Sequence, residues 1–318
     1  MIESKYTIFD ALCTVRDFIR WGTSRFVEAK IYLGHGTDNA WDEAVRLVLH
    51  ALHLPLDMDK NVFAEVLGSQ LTKQERLEVY TILEIRIKTR IPTPYLTGEA
   101  WFAGLPFKVD ERVLIPRSPI AELVESGFEP WLKMSPSRIL DLCTGSGCIG
   151  IACALAFPDA LVDISDLSPD ALDVAEVNVA RYQLEDQVQI IHSDLFANVD
   201  EENYDLIISN PPYVDARDFA EMPEEFRHEP SLGLDAGTDG LDIVRYILRD
   251  AAKHLHPGGI LIVEVGNSGA ALEETYPEVP FLWFEFERGG HGVFMLTASQ
   301  LAEHQQCFSA ACPTNCDA

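Results

Sequence analysis

The chain has 318 residues, 47% hydrophobic and 24% charged, the balance of a globular protein long enough for about two domains with separate cores. No apolar run approaches the roughly 18 residues of a membrane span, and Met1-Ile2-Glu3-Ser4-Lys5 lacks the basic-then-apolar layout of a secretory leader, so a cytoplasmic protein with no membrane partner is expected. The formal charge of -27 disfavours direct DNA binding and favours basic partners.

That charge is unevenly spread. Residues 1–93 carry 12 Lys+Arg and 13 Asp+Glu, a net of -1, which leaves -26 on residues 94–318. Seven cysteines, at 13, 143, 148, 153, 307, 312 and 316, are an odd and scattered set that suits reduced thiols. Cys307, Cys312 and Cys316 have no partner ligands at zinc-motif spacing, so no metal site is expected.

The first segment reads as a helical domain over 1–93. Asn39 caps a helix whose Trp41, Ala44, Val45, Val48 and Leu52 form an apolar stripe, and Thr72 with Glu75 makes a capping box opening a helix through Leu77, Tyr80, Leu83 and Ile87 that stops before Pro92. Residues 94–118 change character: Gly98, Gly104 and Pro106 interrupt short aromatic and β-branched runs, which predicts a β-hairpin linker.

From Arg138 strands and helices alternate. Strands are expected at Arg138–Leu142, Leu161–Asp166, Val188–His192, Tyr204–Ser209, Ile260–Val265, Phe281–Glu287 and Gly292–Leu296, with helices near Cys148–Ala156, Pro169–Tyr182, Gly240–His256 and Gly269–Glu274. The alternation implies an α/β, doubly wound parallel sheet, closed at its edge by an antiparallel hairpin through Arg288-Gly289-Gly290-His291. Residues 304–318 read as a disordered tail.

Asp141-Leu142-Cys143-Thr144-Gly145-Ser146-Gly147-Cys148 follows the first strand of this sheet and opens a helix. Gly145 and Gly147 permit a sharp turn and close approach of a ligand. The same stretch matches the dinucleotide fingerprint G-x-G-x-x-G, with Asp166 beyond it. Asp141, however, would repel a pyrophosphate, whereas its carboxylate can meet an ammonium or a backbone amide. Asp194, after the third strand, can accept from an exocyclic amine, and Asp166 from two ribose hydroxyls. Together they describe a pocket for an adenosine with a zwitterionic, cationic tail, and S-adenosyl-L-methionine is such a ligand. Cys143 and Cys148 have no local histidine and read as packing residues.

Asn210-Pro211-Pro212-Tyr213 follows the apolar strand Tyr204–Ser209, so it sits where open α/β sheets bind ligands. The prolines have no N–H and fixed φ, so their carbonyls lie in a stiff frame. Asn210 and the neighbouring Pro211 carbonyl can accept both hydrogens of a planar NH2 group, with Tyr213 stacked on its plane.

These motifs, with Val113-Leu114-Ile115-Pro116-Arg117-Ser118-Pro119, resemble the protein glutamine-N5 methyltransferases, class I enzymes with a Rossmann-like sheet. The resemblance covers nearly the whole chain. It implies S-adenosyl-L-methionine bound by Asp141, Gly145, Gly147, Asp166, Asp194 and Asn210, catalysis by Asn210, Pro211 and Tyr213, and substrate contacts from these, Pro212 and Arg117. It also implies a methyltransferase domain over 119–303. Ser118-Pro119, where the branch acting on release factors has Pro-Asp or Pro-Glu, resembles the branch acting on large-subunit ribosomal protein three, a basic protein that is met free or on an assembling particle. Glu229-Pro230 and Leu234–Leu241 resemble the family's loop after the tetrapeptide, whose glycines suit a mobile lid. Alternatives are a release-factor methyltransferase, a DNA adenine-N6 methyltransferase, which presents the same planar NH2, and a non-catalytic ribosome-assembly adaptor.

Overall fold

A computed structural model describes residues 11–199 and 204–311. The chain divides into two compact units: the part through Glu99 with Pro223–His228, and Ala100–Met222 with the part from Glu229 onward.

Among the described residues the first unit is helical: Val15–Glu28, Ala40–Ala51, Lys60–Leu67, Lys73–Thr89 and Thr93–Thr97. Thr14 with Asp17, and Thr72 with Glu75, form capping boxes, and the Asn39 side chain accepts from Asp42 N–H, so at these three helix starts a free amide is satisfied locally. The buried face of Ala40–Ala51 runs through Ala40, Glu43, Ala44, Leu47 and Val48, whereas Trp41, expected on the stripe, is 38% exposed. The face is displaced because a charged residue belongs to it. Arg86, fully buried, donates from Nε to Glu43 Oε1 at 2.8 Å and from Nη2 to the Tyr32 carbonyl at 3.0 Å. Glu225, also buried, accepts from Tyr32 N–H at 3.0 Å, and its carboxylate lies 3.4 Å from Arg90 Nη1. This buried acid explains why six residues of the loop after the tetrapeptide belong to the helical unit, since an unpaired buried charge would be very unfavourable.

The hairpin linker is narrower than expected. Strands β1 (Glu99–Phe102) and β2 (Leu105–Lys108) meet at Ala103-Gly104, both at positive φ, as a tight two-residue hairpin turn requires. The boundary between units falls at Glu99, and the rest of the ribbon is integral to the second unit. There Asn178 bonds both the N–H and the C=O of Lys108, at 2.7 and 3.0 Å.

The second unit is built on β3 (Arg138–Leu142), β4 (Leu161–Asp166), β5 (Val188–His192), β6 (Tyr204–Ser209), β7 (Leu255–Glu264), β8 (Leu282–Trp283) and β9 (Val293–Thr297), ordered β5-β4-β3-β6-β7-β9-β8. The first five are parallel and β9 and β8 antiparallel. Alternate residues face opposite cores: Leu206, Ile208, Ile260 and Ile262 pack with the Cys148–Ala156 helix, while Ile207, Leu261 and Val263 pack with Val244, Ile247 and Leu248 of the Asp242–His254 helix. Strand order reverses at β3, between β4 and β6, which opens a crevice at the strands' carboxyl ends. Of the expected strand Phe281–Glu287 only Leu282–Trp283 is regular, although Phe284 N–H still reaches the Val293 carbonyl at 3.0 Å.

The tail is corrected most. Ala298–Glu303 and Gln305–Ala311 are helices, and Phe308, fully buried, stands edge-on to Tyr276 with centroids 5.3 Å apart. One aromatic in a short segment leaves no periodicity to read. Residues 312–318, with Cys312 and Cys316, lie outside the described residues; Cys307 is exposed. Phe308→Ala should destabilise the second unit by about 3–5 kcal/mol in urea unfolding. A change below about 0.5 kcal/mol would mean the tail does not pack.

Candidate active site

The crevice is a cavity walled by four strand ends, the segment before β3 and the loop after the tetrapeptide. Its lining includes Arg112–Ser118, Cys143–Ser146, Cys148, Ser165–Ser168, Ser193–Leu195, Asn210, Pro212 and Pro230. Of the expected site residues, Gly145, Asp166, Asp194, Asn210, Pro212 and Arg117 are brought together there, whereas Asp141, Gly147, Pro211 and Tyr213, each adjacent to or within the same motifs, are not among its lining.

Asp141, at 0% exposure, lies beneath the glycine loop. Its Oδ2 accepts from the Thr144 hydroxyl and from Gly150 N–H, the latter at 2.9 Å. Burial outweighs these bonds and pushes its pKa up to about 7. Of its two expected partners, an ammonium or a backbone amide, the backbone amide of Gly150 is met, and these bonds tie Asp141 to the loop and the helix that follows it. Gly147 has φ +80 and caps the helix, and a Cβ there would stand 3.1 Å from Ile151. At Gly145 a Cβ would meet no protein atom, so the loop leaves open space at its tip. Asn178 Nδ2 donates to the Ser146 carbonyl at 2.8 Å, joining the loop to the β-ribbon.

Asp166 Oδ2 accepts from Gly145 N–H and Oδ1 from Ser168 N–H, both at 2.9 Å. Each oxygen keeps a second lone pair, and burial raises the pKa despite those bonds. Asp194 is exposed on the lining. Asp163, the other acid of β4 beside Asp166, is turned away: it accepts from Tyr204 Oη at 2.6 Å and Arg138 Nη2 at 2.8 Å. Burial holds the Cys143 thiol far up and pushes Cys148 to about 12, so both remain thiols. No group of acidic, His or Cys side chains is placed to hold a metal among the described residues.

Asn210 follows β6, whose last residue, Ser209, donates its hydroxyl to the Leu142 carbonyl at 2.8 Å. Asn210 Oδ1 is buried and has no hydrogen-bond partner. Tyr213 is fixed by its hydroxyl, which donates to Glu264 Oε1 at 2.9 Å. Arg117 is paired two-fold with Glu229, at 2.6 and 2.8 Å, and Glu229 also accepts from Ile115 N–H at 3.0 Å. Sequence reading missed Asn178 and Glu264; only the position of Glu264 at a strand's carboxyl end could have marked it.

Residues 129–229 match a family model described as methyltransferase small domain. A curated relative from Neisseria gonorrhoeae, named ribosomal protein uL3 glutamine methyltransferase, is 50% identical over 91% of this chain and 96% of its own length. One of the same name from Francisella tularensis is 46% identical over 96% and 97%. The chain belongs to the ribosomal protein uL3 glutamine methyltransferase family. Among solved structures, the hMettl16 catalytic domain in complex with a MAT2A 3'UTR hairpin has a TM-score of 0.47 at 18% identity, covering 76% of this chain and 86% of that one; such a likeness speaks to neither substrate nor chemistry.

As a member of this family the protein is an S-adenosylmethionine-dependent methyltransferase, which sets aside both the dinucleotide fingerprint and the adaptor. The cavity fits that cofactor: open space at Gly145, free lone pairs on Asp166, and acids that favour a cation. Asp166→Ala should weaken S-adenosylmethionine binding by about 1.5–3 kcal/mol in calorimetry. Unchanged affinity would remove Asp166 from the cofactor site.

Proposed function

We propose that the enzyme methylates the side-chain amide nitrogen (N5) of a glutamine in large-subunit ribosomal protein uL3. The observation that carries this reading is the buried Asn210 Oδ1 without a donor. An unmet buried acceptor costs about 1–3 kcal/mol, and such atoms persist where a ligand supplies the partner. A primary amide supplies two coplanar N–H groups. Asn210 Oδ1 accepts one and the Pro211 carbonyl the other.

When bound, S-adenosylmethionine supplies a methyl carbon on a positively charged sulfur, which departs as a neutral thioether with the C–S electron pair. The amide nitrogen is a poor nucleophile because its lone pair is shared with the carbonyl, so the work of Asn210 and Pro211 is to aim it and to stabilise the positive charge developing on it. A new N–C bond forms, and the nitrogen loses one proton to solvent. No histidine or other dedicated base enters this scheme.

The net of -26 on residues 94–318 favours the approach of a basic ribosomal protein over a range of roughly 8 Å at physiological salt. The same charge disfavours a DNA adenine substrate, whose phosphates need cationic contacts. The relatives' names favour uL3 over release factors, and such a substrate supports a cytoplasmic enzyme acting on free uL3 or on an assembling particle. Incubation with labelled cofactor and separated ribosomal proteins or release factors should label uL3, and Asn210→Ala should cut that labelling rate about 100-fold or more. Label on a release factor with uL3 untouched would overturn the substrate; near-normal turnover by Asn210→Ala would overturn the mechanism.

A further inference from the structure

We infer that Glu264 and Ser118 are positioning residues for methyl transfer: acting through the Tyr213 hydroxyl, they hold Asn210-Pro211-Pro212-Tyr213 in the geometry that aims the amide. The inference rests on the reading of Asn210 as the amide's acceptor.

Glu264 ends β7 and is 4% exposed. Its two oxygens have different donors. Oε1 takes the Tyr213 hydroxyl at 2.9 Å, and Oε2 takes the Ser118 hydroxyl, whose oxygen in turn accepts from Ile120 N–H at 3.1 Å. A buried carboxylate without a cation in direct contact is a costly way to hold two hydroxyls, and it is tolerated where geometry matters. Burial, then the Glu264 charge, raises the Tyr213 pKa, so the phenol remains the donor.

The rest of Tyr213 is equally constrained. Its carbonyl accepts from Ser268 Oγ at 2.8 Å, and the next residue, Val214, donates from N–H to the Leu234 carbonyl at 3.0 Å. Gly266 has φ +46, and a Cβ there would come 2.5 Å from the Tyr213 ring. With Ser209 anchored to β3 at the other end, the tetrapeptide is pinned on both sides of Asn210 and Pro211, and Glu264 is the pin that reaches its last side chain.

Ser118 gives this pin its connection to the cofactor. The segment Ile115–Ser118 lines the cavity. Its Arg117 grips Glu229 and its Ser118 reaches Tyr213 by way of Glu264. One strut therefore fixes both ends of the loop from Tyr213 to Glu229 against the cofactor wall. Neither Glu264 nor Tyr213 lines the cavity, so their effect falls on alignment of the amide and not on cofactor affinity.

The test compares full-length Glu264→Ala, Glu264→Gln, Tyr213→Phe, Ser118→Ala and the double variant Glu264→Ala/Tyr213→Phe, with Asn210→Ala as reference, measuring cofactor Kd of each enzyme and kcat and KM with unmethylated uL3 as substrate. Glu264→Ala and Tyr213→Phe should each lower kcat about 10- to 100-fold with cofactor Kd within about two-fold, and the double variant should be no slower than either, as for residues acting as one unit. Glu264→Gln, which offers an oxygen to Tyr213 and an N–H to Ser118, should restore kcat to within about five-fold of wild type. Should Glu264→Ala fail to fold, Tyr213→Phe decides the matter by the same fall in kcat at constant Kd, and Ser118→Ala, at a residue that also lines the cavity, by its fall in kcat alone. Wild-type kcat in these variants, multiplicative effects in the double variant, or loss of cofactor affinity in step with kcat would overturn the inference. Normal turnover by Glu264→Ala beside an inactive Asn210→Ala overturns this inference alone, whereas an active Asn210→Ala overturns the reading beneath it.

Discussion

Parallel pairing of β3 to β7 sends the end of every one of those strands to the same edge of the sheet, and the chemistry of this protein follows from which side chains sit there. Asp141 and Asp166 stand at the ends of β3 and β4, Asp194 lies two residues beyond β5, Asn210 one beyond β6, and Glu264 ends β7. Because order reverses at β3, the loops after β3 and β6 part and leave a crevice between them. The glycine loop after β3 and the tetrapeptide after β6 become neighbours with no further device.

That convergence concentrates acid. Asp141, Asp166 and Glu264 are all buried enough that their pKa values rise, and each is met by hydroxyl or backbone N–H donors rather than by a cation in direct contact. Such donors orient a carboxyl group without supplying a counter-charge, so a positive charge brought close to these acids would favour their ionised forms. A sulfonium cofactor and a nitrogen that becomes cationic during transfer both suit that field. At longer range the same sign suits a basic protein substrate.

The sheet was legible in the sequence because its strands are short apolar runs with an acid, an amide or a glycine turn at the end. β3, β4, β5 and β6 have the bounds that pattern implies. What escaped reading depends on partners far apart in the chain. Glu43 and Arg86 belong to no motif or apolar stripe, yet they pair in the core of the helical unit. Glu225 joins that unit through Tyr32, 193 residues away. Glu264 meets Ser118 across 146 residues, and Arg117 meets Glu229 across 112. Periodicity reports which face of an element is apolar; it is silent where a buried face carries a charge whose partner lies elsewhere. The site divides in the same way: residues that line the cavity were readable from motifs, while those that hold the motifs in place were not.

The central claim is that Asn210 and Pro211 accept the two hydrogens of a glutamine amide. A crystal structure of the enzyme with S-adenosylhomocysteine and a glutamine-containing uL3 segment tests it most directly. The account predicts the glutamine nitrogen within about 3.2 Å of both Asn210 Oδ1 and the Pro211 carbonyl oxygen, facing the sulfur with room for a methyl group between them. A glutamine nitrogen held by other groups, with Asn210 Oδ1 bonded elsewhere, would contradict it.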